Sequence, residues 1–212
     1  MSLFITFEGG EGSGKSTQAE SLYNKLCSVN VPTILTHEPG GTPFGEFIRN
    51  LMKWTDAYIS PDTELLSFNA SRAQLLREVI LPGLQAGKVV ICDRYVDSTL
   101  AYQGYGRQLD VQKVKLVNDV ASGALTPDLT VLFDLPPEEG FARIRDRQKD
   151  RFEREDNAFH ERVRNGFLEL ARQDPGRWFV LDAGQSRQKI RSIIWKKVTQ
   201  VLSETKLPAS IE

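Results

Sequence analysis

A chain of 212 residues, 40% of them hydrophobic, can bury one sizeable core, so a single α/β domain over residues 1–212 is the natural count. A formal net charge of −1 excludes the overall basic field that gathers nucleic acid, and the two cysteines, Cys27 and Cys92, form no C-x-x-C pair, which leaves both as expected small core residues of a reducing compartment. With no apolar run of about 18 residues and no signal-peptide pattern, no membrane partner and a cytoplasmic location are expected.

Leu3 to Phe7 (LFITF) alternates and is β-prone, which predicts a buried first strand. The stretch GGEGSGKST follows, and it fits G-x-x-x-x-G-K-[ST] with Gly9, Gly14, Lys15 and Ser16 at the fixed places. Glycines let the backbone curl so that several N–H groups aim at one anion, and the helix predicted from Thr17 to Cys27 adds the positive end of its dipole. Gly9, Gly10, Glu11, Gly12, Ser13, Gly14, Lys15, Ser16 and Thr17 therefore form an expected triphosphate cradle. Within it Lys15 reaches the β- and γ-phosphates, and the Ser16 hydroxyl is placed for Mg²⁺.

Val31 to Thr36 predicts a second strand that ends in His37-Glu38-Pro39-Gly40-Gly41, which puts Glu38 at a carboxyl end, where ligands bind in open parallel sheets. Phe44 to Trp54 is helical in pattern, with Arg49 off its apolar face. A Ser60 cap followed by Pro61, Asp62 and Glu64 starts a helix that runs to about Leu84, with Pro82 in its last turn. Phe68 and Arg72, four apart on that helix, suit a planar ligand, although local sequence alone favours a core phenylalanine beside a surface arginine. Lys88 to Cys92 predicts the third strand, and Asp93-Arg94-Tyr95 leaves its carboxyl end with an acid suited to Mg²⁺ and an arginine suited to phosphate. Thr99, Tyr102 and Gln103 offer donors and acceptors for the edge of a base. Asp110 to Ser122 is an amphipathic helix, and Asp128 to Leu135 the fourth strand.

The run from Glu138 to Arg164 reads first as a solvated helix, yet Arg143, Arg145, Arg147 and Arg151 also suit a segment that covers a triphosphate. A helix over Phe159 to Arg172, a fifth strand at Trp178 to Leu181 and a last helix from Ser186 complete the pattern. Alternating strands and helices predict a three-layer α/β P-loop fold, a parallel five-stranded sheet flanked by helices.

Seven motifs in this order resemble thymidylate kinase in its bacterial form: F-E-G-G-E-G-S-G-K-S-T, H-E-P-G-G-T, Phe68 with Arg72, D-R-Y, S-T-x-A-Y-Q-G, D-R-F-E at Asp150 to Glu153, and D-A-G-Q. The resemblance implies phosphoryl transfer from ATP to dTMP with Mg²⁺, and a homodimer formed through the helices around 44–54 and 60–82. Phe68 would stack on thymine, Arg72 would bond to its carbonyl edge, and Thr99 and Gln103 would complete base recognition. Tyr102 would pack at the sugar and Glu11 would approach its 3′-hydroxyl. Arg49 and Arg94 would hold the acceptor phosphate with Glu38 near it. Ser16 and Asp93 would serve the metal, while Arg143 and Gln185 would border ATP. The family's catalytic arginine sits in the P-loop or in the lid. Gly12 stands at the P-loop position here, so the lid, about 141–156, is expected to supply it through Arg147 or Arg151, alongside Lys15 and Arg94. His37 departs from the arginine that bacterial relatives often carry before Glu-Pro. The alternatives by chemistry are a deoxynucleoside kinase, which would need Glu38 as a base, and a nucleotide switch; no guanine-selecting N-K-x-D is present.

Overall fold

The computed structural model describes residues 2–146 and 148–204. Strands β1 (Leu3–Gly9), β2 (Thr33–His37), β3 (Val89–Asp93), β4 (Leu129–Asp134) and β5 (Trp178–Asp182) form one all-parallel sheet in the order β2-β3-β1-β4-β5. The expected sheet is therefore the observed one, with β1 at its centre. Its register sets Leu3 against Val89, and Ile5 against both Ile91 and Leu129.

Alternation along the strands sorts the core into two faces. Leu3, Ile5 and Phe7 pack with Ile91 and Val131 under Ala19, Leu22 and Leu26 of α1 (Lys15–Ser28) and under Ile190, Ile194 and Val198 of α9 (Arg187–Glu204). On the opposite face Phe4, Val90 and Cys92 meet Leu75, Leu76 and Ile80. Leu132 and Trp178 meet Phe159, Val163 and Phe167 of α8 (Asn157–Gln173). Full burial of each such side chain contributes roughly 1.5–3 kcal/mol, so the central strand is fixed in place from both sides. Glu8 lies in phase with Phe4 and Thr6, on the α8 face, fully buried.

α2 (Pro43–Trp54) and α3 (Pro61–Leu75) both begin with proline behind a capping hydroxyl: Thr42 accepts from the Gly45 N–H and Ser60 from the Thr63 N–H. The predicted single helix from Ser60 to Leu84 is instead divided. α3 passes into a π-helical turn at Leu76–Ile80 and then into α4 (Leu81–Gln85). Pro82 has no N–H for the Glu78 carbonyl and its ring crowds that group, so the helix widens just ahead of it. A second π-helical turn, Leu100–Gly106, follows α5 (Val96–Thr99) and precedes α6 (Val111–Ser122). It packs on α8 through small residues, Gly106 under Phe159 and Gly166 under Tyr105.

Two expectations are corrected. Cys27 is exposed and only Cys92 is buried, because Leu26 already occupies the sheet-facing position and the next residue is turned away by roughly 100°. The charged run is not one solvated helix. α7 (Pro137–Arg143) ends early, and Asp150 then caps its own turn, accepting from Phe152 N–H at 3.0 Å and Glu153 N–H at 3.1 Å.

The start of α7 touches the glycine loop backbone to backbone. A Cβ on Gly140 would lie 2.1 Å from the Glu11 carbonyl oxygen, and one on Gly12, at φ 67°, would lie 2.0 Å from the Gly140 oxygen. Alanine in a helix normally stabilises it by up to about 1 kcal/mol over glycine. Gly140→Ala should instead cost about 1–3 kcal/mol, a fall of several degrees in Tm for a chain of this size. A thermal melt equal to or above wild type would show that the approach is not tight.

Candidate active site

One cleft of about 1180 Å³ opens at the carboxyl ends of β1, β2 and β3. Its wall includes Glu11, Gly12, Ser13, Gly14, Lys15, Ser16 and Thr17 of the glycine loop, and Glu38 and Arg49 from the second crossover. Phe68, Arg72, Thr99, Tyr102 and Gln103 line one end, Arg143 and Gln185 line the other, and Asp93 and Arg94 lie between, bonded to the glycine loop. Gly9 and Gly10 are not part of this wall; their carbonyls accept from Arg94 and Lys15, which are. The structure thus brings together nearly all the residues that the motifs single out.

The glycine loop curls through positive φ at Gly9 (140°), Gly12 (67°) and Gly14 (91°), conformations that only glycine takes without strain. Lys15 Nζ donates to the Gly10 carbonyl at 2.7 Å and to Ser13 Oγ at 3.3 Å, folded over its own loop. Burial, reinforced by the Arg94 cation, brings the Lys15 ammonium down to about 8 despite the carboxylates of Glu11, Asp93 and Glu8. Ser16 donates its hydroxyl to Asp93 Oδ2, while Asp93 Oδ1 is buried without a partner. An orphaned carboxylate oxygen beside a hydroxyl is a hard-oxygen pair of the kind Mg²⁺ takes alongside phosphate and water. No cluster of three metal-ligating side chains exists among the described residues, so the protein alone would hold such an ion by few ligands.

Arg94 sits where the two ends of the cleft meet, at φ 74°, a left-handed conformation that an arginine adopts only when its surroundings impose it. The surroundings begin with Glu8, which the sequence reading passed over. Glu8 Oε1 accepts from the Tyr95 N–H at 2.8 Å and Oε2 from Ser98 Oγ at 2.5 Å, tying the turn to the central strand. Arg94 Nη1 then donates to the Gly9 carbonyl at 3.0 Å and to Ser98 Oγ at 3.1 Å. Its Nη2 donates to Glu11 Oε1 at 2.9 Å and to the Tyr102 hydroxyl at 3.1 Å, and Tyr102 donates on to Glu11 at 2.8 Å. Burial works to raise the Glu11 carboxyl, but Arg94, Lys15 and Tyr102 outweigh it and bring it down to about 2. Burial and the Asp97 carboxylate push Glu8 the other way, up to about 8.

At the far end Phe68 is half-buried on the cleft wall, and Arg72, expected locally at the surface, is among the largest fully buried side chains. All five of its N–H groups are engaged: Nε and Nη2 on Glu38 Oε2 at 2.9 and 2.7 Å, Nη1 on Asn69 and Asn118, and Nη2 on Thr99 Oγ1 at 2.8 Å. A base carbonyl reaches this guanidinium only by sharing or displacing one of these acceptors. Glu38 is buried as its counter-ion, and burial raises the carboxyl's pKa against the pull of Arg72. Arg49 Nη1 donates to the Pro39 carbonyl at 2.9 Å, behind the cis Glu38–Pro39 peptide.

Arg143 donates to the Ala183 carbonyl at 3.0 Å and borders the cleft with Gln185, whose Oε1 is buried without a partner. Arg147 lies outside the described residues. Arg151 does not face the phosphate loop. Its backbone N–H donates to the Lys53 carbonyl and its Nε to the Met52 carbonyl, at the end of α2, and its Nη2 lies 2.8 Å from Glu64 Oε2 without hydrogen-bond alignment. The turn is pinned there by Asp150, whose Oδ2 lies 2.8 Å from Lys53 Nζ.

Comparison with known proteins follows the same lines. A family model described as Thymidylate kinase matches residues 7–194. The chain is 54% identical over 203 residues to a thymidylate kinase of Dehalococcoides mccartyi (strain CBDB1), covering 95% of this chain and 98% of that one. It is 50% identical over 191 residues to that of Pseudomonas fluorescens (strain Pf0-1), covering 89% and 91%. A crystal structure of thymidylate kinase from Ehrlichia chaffeensis is similar at a TM-score of 0.74 and 35% identity, covering 95% of this chain and 98% of that one.

The folded-state pKa of Glu8, about 8, lies above the 4.5 of a free glutamate, so the folded protein holds that proton the more tightly. The stability this confers is full below pH 4.5 and declines as pH rises through 8. Glu8→Gln imitates the protonated form and cannot lose it. In urea titrations the variant should gain on wild type steadily across that window; parallel pH dependences would show that Glu8 titrates like a free carboxyl.

Proposed function

This chain belongs to the thymidylate kinase family and phosphorylates dTMP to dTDP, and we propose that ATP is the donor, Mg²⁺ the cofactor, and direct in-line transfer without a general base the mechanism. The observation that supports this best is the meeting of two arms on one guanidinium. The glycine loop and Lys15 end at Arg94 from one side, and the pocket of Phe68, Thr99, Tyr102 and Gln103 ends there from the other.

In this reading dTMP lies along the second arm. Phe68 stacks on its base, Arg72, Thr99 and Gln103 read the base edge, and Tyr102 packs at the sugar. Arg94 exchanges its bond to Glu11 for one to the acceptor phosphate, and the freed Glu11 carboxylate turns to the 3′-hydroxyl. Arg49 and Glu38 complete that end. ATP lies along the loop from Gly9 to Thr17, with Arg143 and Gln185 beside its nucleoside. Ser16 and Asp93 would hold Mg²⁺, whose charge would offset that of the phosphates. The acceptor oxygen is already ionised at neutral pH, so nothing need deprotonate it. The barrier is repulsion between two anions, which Lys15 and Arg94 offset by position and charge. A lid over about 141–156 of this single domain covers the triphosphate. Arg147 is assigned its catalytic arginine. Arg151, committed to Met52 and Glu64, could join only by giving up those partners.

No helix among the described residues is long and apolar enough to cross a membrane, and we place the enzyme in the cytoplasm with no membrane or nucleic-acid partner. α2, the connection after it and the start of α3 expose Phe44, Phe47, Leu51, Trp54, Tyr58 and Leu66, the apolar surface a homodimer needs.

Formation of ADP from ATP should follow dTMP and not thymidine; turnover with thymidine alone would make the acceptor a hydroxyl and Glu38 a base. Phe68→Ala should raise KM for dTMP by about tenfold or more while leaving that for ATP near wild type, since an aromatic contact contributes on the order of 1 kcal/mol beyond the area it covers. Equal shifts in both constants would remove Phe68 from the base site. Because Lys15 loses its proton near pH 8, kcat/KM for ATP should fall as pH rises through about 8. A flat profile to the pKa of a free lysine would contradict that assignment.

A further inference from the structure

We propose that Glu64 is a positioning residue for base specificity: it holds the Gln103 amide with its carbonyl oxygen toward the cleft, so that the pocket accepts a pyrimidine bearing N3–H and rejects cytosine. This rests on the reading that Gln103 faces the base.

Glu64 lies in the first turn of α3, where the sequence shows only an ordinary acid after a proline start. In the fold it is fully buried at the back wall of the base pocket. Gln103 Nε2 donates to Glu64 Oε1 at 2.6 Å. The opposite orientation of that amide would set its carbonyl oxygen against a carboxylate oxygen at the same distance, two acceptors with no hydrogen between them, and is excluded on chemistry alone. Nε2 is thereby turned to the rear. Among the described residues no protein donor reaches Gln103 Oε1, which is left as the acceptor of a residue lining the cleft.

One helical turn earlier, Thr99 Oγ1 accepts from Arg72, which leaves the Thr99 hydroxyl hydrogen free to donate. The wall then presents a donor at Thr99 and an acceptor at Gln103. Thymine and uracil match it with a carbonyl O4 and an N3–H. Cytosine offers an amino group and a bare N3, so each of its groups meets its own kind.

A buried carboxylate keeps such a position only when its own charge is answered. Arg107 places Nε 3.2 Å from Oε1 and Nη2 3.2 Å from Oε2, and Arg151 Nη2 lies 2.8 Å from Oε2. Phe152, next to Arg151, contacts the Phe68 ring at 5.6 Å. The D-R-F-E turn, expected to reach the phosphates, thus forms the outer support of the base pocket.

The test compares kcat/KM for dTMP and dCMP in wild type, Glu64→Gln and Gln103→Ala. The amide introduced at position 64 can present nitrogen or oxygen, so Gln103 is free to turn over. The dTMP-to-dCMP ratio should fall by about tenfold or more with KM for ATP unchanged, the scale of one misplaced hydrogen bond in a closed pocket. If Glu64 served folding alone, both substrates would weaken together and the ratio would hold, and that result would overturn the proposal. An unchanged ratio in Gln103→Ala would instead refute the base-site reading beneath it. Should Glu64→Gln fail to fold, wild-type enzyme still decides. Binding of N3-methyl dTMP should be about tenfold weaker or worse than that of dTMP, for want of the N3–H. Equal binding would mean that no acceptor faces that position.

Discussion

The structure turns on one guanidinium. Arg94 leaves β3 in a backbone conformation that costs on the order of 1 kcal/mol or more for a residue with a side chain. What holds it there is the carboxyl group of a glutamate on the neighbouring strand. Glu8 takes the Tyr95 N–H and the Ser98 hydroxyl, and Ser98 in turn receives Arg94. From this position the guanidinium reaches the Gly9 carbonyl, Glu11 and Tyr102 at once, and so joins the glycine loop to the helix that carries Thr99 and Gln103.

Electrostatics explain why this junction suits phosphate. Lys15 and Arg94 share a buried site whose mutual repulsion helps to lower the lysine, and Glu11 is the anion that answers both. In the proposed mechanism a ligand phosphate arriving at Arg94 would replace the Glu11 charge by another, so the guanidinium would never be left without a partner. The second ion pair, Arg72 with Glu38, is of a different kind. It is closed on itself, with every N–H of the arginine satisfied, and gives that end of the cleft a rigid floor.

Much of this was legible in the chain. Strand and helix periods led to the right layers, because alternation in LFITF and the 3.6-residue spacing in α1 are local and obey geometry. The glycine loop was legible because its backbone chemistry tolerates few other residues. Burial of Arg72 was not legible, since Glu38, Asn69, Thr99 and Asn118 come from four elements and no local pattern announces their meeting. Glu8 carried a signal that was missed: an acid in phase with Phe4 and Thr6 on a buried strand needs a partner. Glu64 resembled any first-turn acid. The arginine-rich run misled because its composition suggests one solvated helix, whereas α7 ends at Arg143 and Asp150 caps a turn that docks on α2. Cys27 sat one residue past the buried face, a distinction that depends on where the helix begins.

Calorimetric binding of dTMP and of thymidine to wild type and to Arg94→Met tests the central claim most directly. If Arg94 receives the acceptor phosphate, wild type binds dTMP well above thymidine, and in the variant that preference collapses while the affinity for thymidine holds. A variant that kept the full preference for dTMP would place the phosphate elsewhere and contradict the account.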